Sequence, residues 1–152
     1  MITYELPLPY KSQANKRKSN SLMTVNVQRN LHYAAAANFK KKYGSVCASA
    51  IPLAKKQLLA VKLTYVLNII PTKGNPTKAL PFRGSKPKVI DLTNILSVVD
   101  KVNSDELVNA GHILDDTISN VESVEFRSSN WSDRNYISVS VEEIPPQIDP
   151  RI

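Results

Sequence analysis

The alternation of apolar and polar side chains predicts strands in five places. It is clearest over residues 60–70, where every second side chain is apolar and most of those between are polar, the two-residue period of a strand with one buried face. Short strands are also expected at residues 2–6 and 22–27. Residues 121–126 and 136–141 are expected to form the two strands of a hairpin, joined by a polar loop.

Two segments predict helices. Residues 29–50 hold four consecutive alanines among other helix-forming residues, and residues 93–110 carry apolar side chains at helical spacing. On the second helix, Asp100 and Asp105 are expected on a solvated face. Residues 71–88, rich in Pro, Gly and Lys, predict a long basic loop. The order of elements favours an α+β fold, with a mixed or antiparallel sheet packed against two main helices.

Length and composition fit one domain. The chain has 152 residues, of which 42% are hydrophobic and 22% charged, which argues against a disordered chain. We expect one domain over residues 1–144 and a flexible C-terminal tail over 145–152. The sequence has no apolar run long enough for a bilayer and no signal-peptide pattern, so no membrane partner is expected. The single cysteine, Cys47, excludes an internal disulfide, and a cytoplasmic location is the expectation.

Positive charge is concentrated in the first part of the chain. Residues 1–88 hold sixteen Lys or Arg and one acid, whereas residues 89–152 hold four Lys or Arg and twelve acids. A basic half is typical of proteins that bind a polyanion, most often nucleic acid, although the two halves can also neutralise each other within one fold. The predicted DNA-binding residues are Lys16, Arg17, Lys18, Lys40, Lys41, Lys42, Lys73, Lys78, Arg83, Lys86 and Lys88.

Carboxylates beside apolar segments are the candidates for chemistry. Asp91 lies between the basic loop and the second helix, and Asp115-Asp116 directly follow Ile113-Leu114. Adjacent carboxylates repel unless a cation lies between them or they face opposite ways. Mg²⁺ typically takes one or two carboxylates, waters and a substrate phosphate, which suits phosphodiester cleavage on a basic surface. The alternatives are structural: Asp91 as a helix cap and the aspartate pair as a solvated turn.

The motif Asp91-Leu92-Thr93-Asn94 opens the second helix, Ala110-Gly111 ends it, and Asp115-Asp116 follow before a strand. This arrangement resembles the RusA family of Holliday-junction resolvases, and the order of the other elements agrees over about residues 2–143. The resemblance implies a small α+β homodimer, frequently encoded by phages or prophages, without a small-molecule cofactor. Such enzymes bind four-way DNA junctions and nick two strands symmetrically with Mg²⁺, for which Mn²⁺ can substitute.

The resemblance also implies roles for individual residues. The family's three metal-binding aspartates fall on Asp91, Thr93 and Asp116, so a threonine replaces one aspartate. A family lysine falls on Ser97, and Lys101, four residues later on the same helical face, is the candidate for the missing cation. The implied catalytic residues are Asp91, Asp115, Asp116 and Lys101, and the implied metal ligands are Asp91, Thr93 and Asp116.

The sequence is consistent with three candidate functions. The leading hypothesis is a Mg²⁺-dependent, structure-selective endodeoxyribonuclease that resolves Holliday junctions in recombination and repair. The second is a protein of the same fold that binds branched DNA but cleaves it poorly because of Thr93 and Ser97. The third is a basic RNA-binding or assembly protein whose acids only form salt bridges. The separation of the Asp91 and Asp116 carboxylates distinguishes the first from the others.

Overall fold

The computed structural model describes residues 1–10, 22–69, 71–72, 75–79, 92–129 and 132–145. In chain order these residues form β1 (Ile2–Leu6), α1 (Val25–Arg29), α2 (Tyr33–Ala50), β2 (Val61–Asn68), β3 (Pro71–Thr72), β4 (Asn75–Ala79), α3 (Leu92–Asn109), β5 (Val121–Ser129) and β6 (Tyr136–Glu143). No helix within these ranges is long and apolar enough to span a lipid bilayer.

The main sheet has four strands in the order β1-β6-β2-β5. β6 is antiparallel to both of its neighbours, so that Val139 pairs with Tyr4 on one side and with Tyr65 on the other. β5 runs parallel to β2 and pairs Phe126 with Tyr65. β3 and β4 form a separate antiparallel pair. The molecule is therefore α+β with a mixed sheet, which confirms the coarse fold prediction.

The core lies where α2 and α3 pack against the sheet. β2 and β6 bury every second side chain, as the two-residue period requires, and the buried set is Val61, Leu63, Tyr65, Leu67, Ile137, Val139 and Val141. Each long helix adds an apolar stripe at three- and four-residue spacing, made of Phe39, Tyr43 and Cys47 on α2 and of Ile95, Val98, Val99 and Val102 on α3. Packing of these stripes fixes the height and rotation of α3 against the sheet.

The predicted C-terminal hairpin is wrong. Its two strands exist, slightly longer than expected, but β2 lies between them and pairs with both. β2 lies at the centre because its inner face is continuously apolar, whereas all nine residues of β5 are exposed or half-buried. The parallel pairing of β5 with β2 needs a crossover connection, and that connection contains α3.

Two other predictions also fail in part. Residues 22–27 do not form a strand, because Val25–Arg29 is a helix whose N-terminus is capped by Thr24, with the side-chain oxygen accepting from the Val27 N–H at 3.1 Å. The long helix consequently begins at Tyr33 rather than near residue 29. The predicted loop 71–88 contains the short strands β3 and β4, and its residues 80–88 lie outside the described part of the chain.

Candidate functional site

The structure describes only some of the predicted site residues. The side chains of Thr93, Lys101, Asp115, Asp116, Lys40, Lys41 and Lys42 are described. Lys78 is placed on β4 by its backbone alone. The predicted residues outside the described ranges are Asp91, Lys16, Arg17, Lys18, Lys73, Arg83, Lys86 and Lys88. Among the side chains that are described, no three acids, histidines or cysteines converge on a single point.

Asp116 lies against Lys101 on α3. The Lys101 ammonium is 3.7 Å from Asp116 Oδ2 and 3.8 Å from Asp105 Oδ1. The Asp115 carboxylate turns back and accepts the Asp116 backbone N–H at 2.8 Å. The two adjacent aspartates therefore face different partners, which relieves their mutual repulsion. The Lys101 side chain is 61% exposed, so these ion pairs add little stability, and their importance lies in where they hold the Asp116 carboxylate.

The loop that carries Asp116 is anchored by a buried histidine. Gly111 lies two residues after the end of α3 and has a φ of +81°. This is a left-handed conformation in which a residue with a side chain would be strained. His112 follows, and its Nε2–H donates to the Pro52 carbonyl at 2.6 Å, since a carbonyl can only accept. The His112 carbonyl in turn accepts the Leu58 N–H at 2.8 Å. The segment before β2 thereby holds the start of the loop in place.

Asp100 is half-buried beside this pair and is not on a solvated face, so that prediction is wrong. Its Oδ1 accepts hydrogen bonds from the Tyr65 hydroxyl at 2.7 Å and from the Ser104 hydroxyl at 3.0 Å. Burial raises the pKa of the Asp100 carboxyl, the two hydrogen bonds oppose this, and the nearby charge of Asp116 raises it further. Asp100 and Asp116 are therefore close enough to interact electrostatically.

A chain of hydrogen bonds leads from the core to Asp100. The Tyr4 hydroxyl donates to Asn103 Oδ1 at 2.6 Å, and Asn103 Nδ2 donates to the Tyr65 hydroxyl at 3.0 Å, which then donates to Asp100. Burial raises the pKa of Tyr4 and of Tyr65, so both phenols remain protonated donors. The chain connects β1, β2 and α3, and fixes the part of α3 that faces Asp116.

Sequence reasoning missed this network. Its signal was present, because Asp100 lies four residues after Leu96 and four before Ser104, on the face that also carries the buried Asn103. A carboxylate on a buried stripe needs donors, and the tyrosine at the centre of the most apolar strand was the available one.

Thr93 lies at the other end of α3. Its side chain is exposed, and it precedes Lys101 by eight positions, about 12 Å along the helix axis. The backbone N–H of Asn26 donates to Asn94 Oδ1 at 3.3 Å, so α1 contacts the first turn of α3. Of the positions implied as metal ligands, the structure thus places Asp116 beside Lys101 and Thr93 about two turns away on the helix.

Of the predicted DNA-binding residues, those whose side chains the structure describes lie on α2. Lys40, Lys41 and Lys42 are all exposed, and the helix is held close to α3 at Gly44. A Cβ built on Gly44 would lie 3.0 Å from Glu106 Oε1 and 3.7 Å from Val102 Cγ1. This close approach explains the glycine and places the lysines on the helix that neighbours the site.

The fold and the site together define an α+β protein with a carboxylate–lysine cluster between its crossover helix and the loop that follows it. Searches of protein-family models and of curated proteins gave no match to this chain.

Proposed function

We propose that this chain is a structure-selective endodeoxyribonuclease of the RusA type, which binds branched DNA in the bacterial cytoplasm and nicks it in the presence of Mg²⁺. The observation that carries the proposal is the pairing of Asp116 with Lys101, 3.7 Å apart, with Asp115 turned away. The resemblance implies a carboxylate at Asp116, and Lys101 would supply the cation that is missing at Ser97, where the family's lysine falls. The mixed α+β fold and the position of α3 between β2 and β5 are compatible with it.

The proposal assigns metal-binding, orienting and DNA-binding roles to different residues. Asp91 and Asp116 would hold Mg²⁺, because carboxylate oxygens are the ligands this cation prefers. Thr93 lies about two turns of α3 from Lys101, so its hydroxyl is not assigned to the same ion. The bound ion would polarise the scissile phosphate and lower the pKa of a coordinated water. Lys101 orients the Asp116 carboxylate through their 3.7 Å ion pair. The exposed lysines of α2 bind backbone phosphates, which positions DNA without reading its sequence.

We further propose that the enzyme acts as a homodimer. A four-way junction has near two-fold symmetry, and two symmetric nicks need two sites related by the same axis. Sedimentation analysis at micromolar concentration is expected to give twice the 16.9 kDa mass of the chain. A monomer at that concentration would contradict this part of the proposal.

A second candidate is a protein of the same fold that binds branched DNA without efficient cleavage. It is favoured by Thr93, which is exposed and supplies no carboxylate where the family has one. With one negative charge fewer, the site would bind a dication more weakly.

The deciding experiment incubates the protein with a labelled four-way junction and a matched duplex, with and without Mg²⁺. Paired nicks in the junction alone, only with Mg²⁺, are the expected result. Asp116→Asn should abolish nicking and preserve binding, because it removes a metal ligand and a charge that repels phosphate. Asp105→Asn is the matched control, since Asp105 contacts the same ammonium at 3.8 Å and should be dispensable. Junction binding without nicking would support the second candidate, and no binding to any DNA would refute both.

A further inference from the structure

Tyr33 is an aromatic side chain left in solvent. It opens α2 and is 81% exposed, although most large apolar side chains in the described part of the chain are buried. The ring of His32 lies against it, with centroids 4.5 Å apart and planes inclined by 35°. His32 is itself held, because its Nδ1 accepts the Ala34 N–H at 3.3 Å and caps the helix. The two rings therefore form an aromatic surface that is fixed by the His32 contacts and exposed to solvent at Tyr33.

The residues around this surface in the sequence are cationic. Arg29 lies in the last turn of α1, four residues before Tyr33, and Lys40 follows Tyr33 by seven residues on the same face of α2. No Asp or Glu occurs between Leu22 and Ala50. An exposed aromatic ring between basic side chains is the combination by which proteins bind unpaired nucleotides, with bases stacked on rings and phosphates bound by cations.

The fold places this surface at the Thr93 end of α3. The Asn26–Asn94 hydrogen bond seats α1 on the first turn of α3, and Gly44 keeps α2 close to Val102 further along. The segment that connects α1 to α2 carries His32 and leads into Tyr33. It is thereby brought beside the end of α3 that holds Thr93. DNA bound along the α2 lysines would reach this end of α3.

We infer that His32 and Tyr33 are a stacking platform for an unstacked base at the branch point of DNA, an inference that rests on the proposed function. The Tyr33 ring stacks on the base, and Arg29 and Lys40 bind the flanking phosphates. In an intact duplex the base faces are covered by their neighbours, whereas a branch point exposes them. The platform therefore selects branched DNA over duplex, a selectivity that phosphate contacts alone do not provide.

The test compares Tyr33→Ala and Tyr33→Phe with the wild type. Each protein is titrated against a four-way junction carrying 2-aminopurine at the branch point and against a duplex of the same length. The alanine variant should bind the junction about tenfold more weakly and lose the quenching that stacking causes, with duplex binding unchanged. The phenylalanine variant should keep both. Leu53→Ala is the matched control, because Leu53 is 95% exposed outside the helices and should have no effect.

The outcomes separate this inference from the proposed function. If Tyr33→Ala matches the wild type, or weakens junction and duplex equally, the stacking platform is refuted and the nuclease proposal is untouched. If the wild type binds and quenches but never nicks in Mg²⁺, the platform is supported and cleavage is refuted. If the wild type binds neither DNA, both are refuted. Unfolding curves of the alanine variant should superimpose on those of the wild type, since Tyr33 is exposed.

Discussion

Replacing Tyr65 with phenylalanine tests the hydrogen-bond network behind the site. The change removes one hydroxyl from a side chain that is 0% exposed. Asp100 loses its 2.7 Å donor, and the buried Asn103 Nδ2 loses its 3.0 Å acceptor. A hydrogen bond to a charged group contributes about 1.5–3 kcal/mol, and a buried amide left without a partner costs about 1–3 kcal/mol. These two effects overlap, so we expect Tyr65→Phe to lower the free energy of unfolding by about 3 kcal/mol.

Urea unfolding followed by circular dichroism measures this decrease directly. For a chain of this size each kcal/mol shifts the Tm by roughly 2–4 °C, so the melting temperature should fall by about 6–12 °C. Tyr33→Phe removes the same hydroxyl from an exposed ring and should change the free energy by less than about 0.5 kcal/mol. Equal stabilities of the two variants would refute the network, because a hydroxyl with two buried partners cannot be as dispensable as one in water.

Two further predictions concern charge. Burial raises the pKa of Asp100 in the folded protein, so the folded state binds this proton more tightly than the unfolded state. The contribution of Asp100 to wild-type stability should therefore fall as the pH rises from about 3.9 through the raised pKa. Asp100→Asn removes the charge but keeps an oxygen that can accept the hydrogen bonds of Tyr65 and Ser104. The stability of this variant relative to wild type, measured by urea titration, should therefore increase over that pH interval. A relative decrease would contradict the raised pKa of Asp100. Changing Lys40, Lys41 and Lys42 to glutamine should weaken binding to the junction and to the duplex alike. It should also lower the slope of log affinity against log salt concentration, by up to about 0.9 for each phosphate that the protein no longer neutralises. An unchanged slope in fluorescence titrations would exclude these lysines from the DNA interface.

Local patterns in the sequence predicted the elements that local forces determine. β1 and β2 were predicted within two residues of their ends, and α3 within one, because their apolar side chains follow an unbroken strand or helix period. α1 was missed because five residues are too few to show a helical period, and Val25 and Val27 alternate as in a strand. Its helical form depends on the Thr24 cap and on contact with α3.

The pairing of strands and the surroundings of Asp100 could not be predicted in the same way. β5 and β6 are consecutive in sequence, which favoured a hairpin, yet both pair with β2, which lies far earlier in the chain. That choice is made by burial of the whole β2 surface, which no short window of sequence reports. Likewise, Asp100 accepts hydrogen bonds from Tyr65, which lies on another element, and from Ser104. The charge of Asp100 on its own suggested a position in solvent.

The position of β6 has a consequence for how the chain folds. β6 lies between β1 and β2, so Ile2 finds its partner only at Val141, and Val61 finds its β6 partner only at Glu143. On the ribosome, neither of these earlier strands can complete its ladder until β6 has emerged. Closing such large loops before any sheet contact forms is slow, and we expect refolding on the order of milliseconds to seconds rather than microseconds. During synthesis β1 and β2 remain incompletely paired templates, and in that interval the nascent protein is most prone to aggregate.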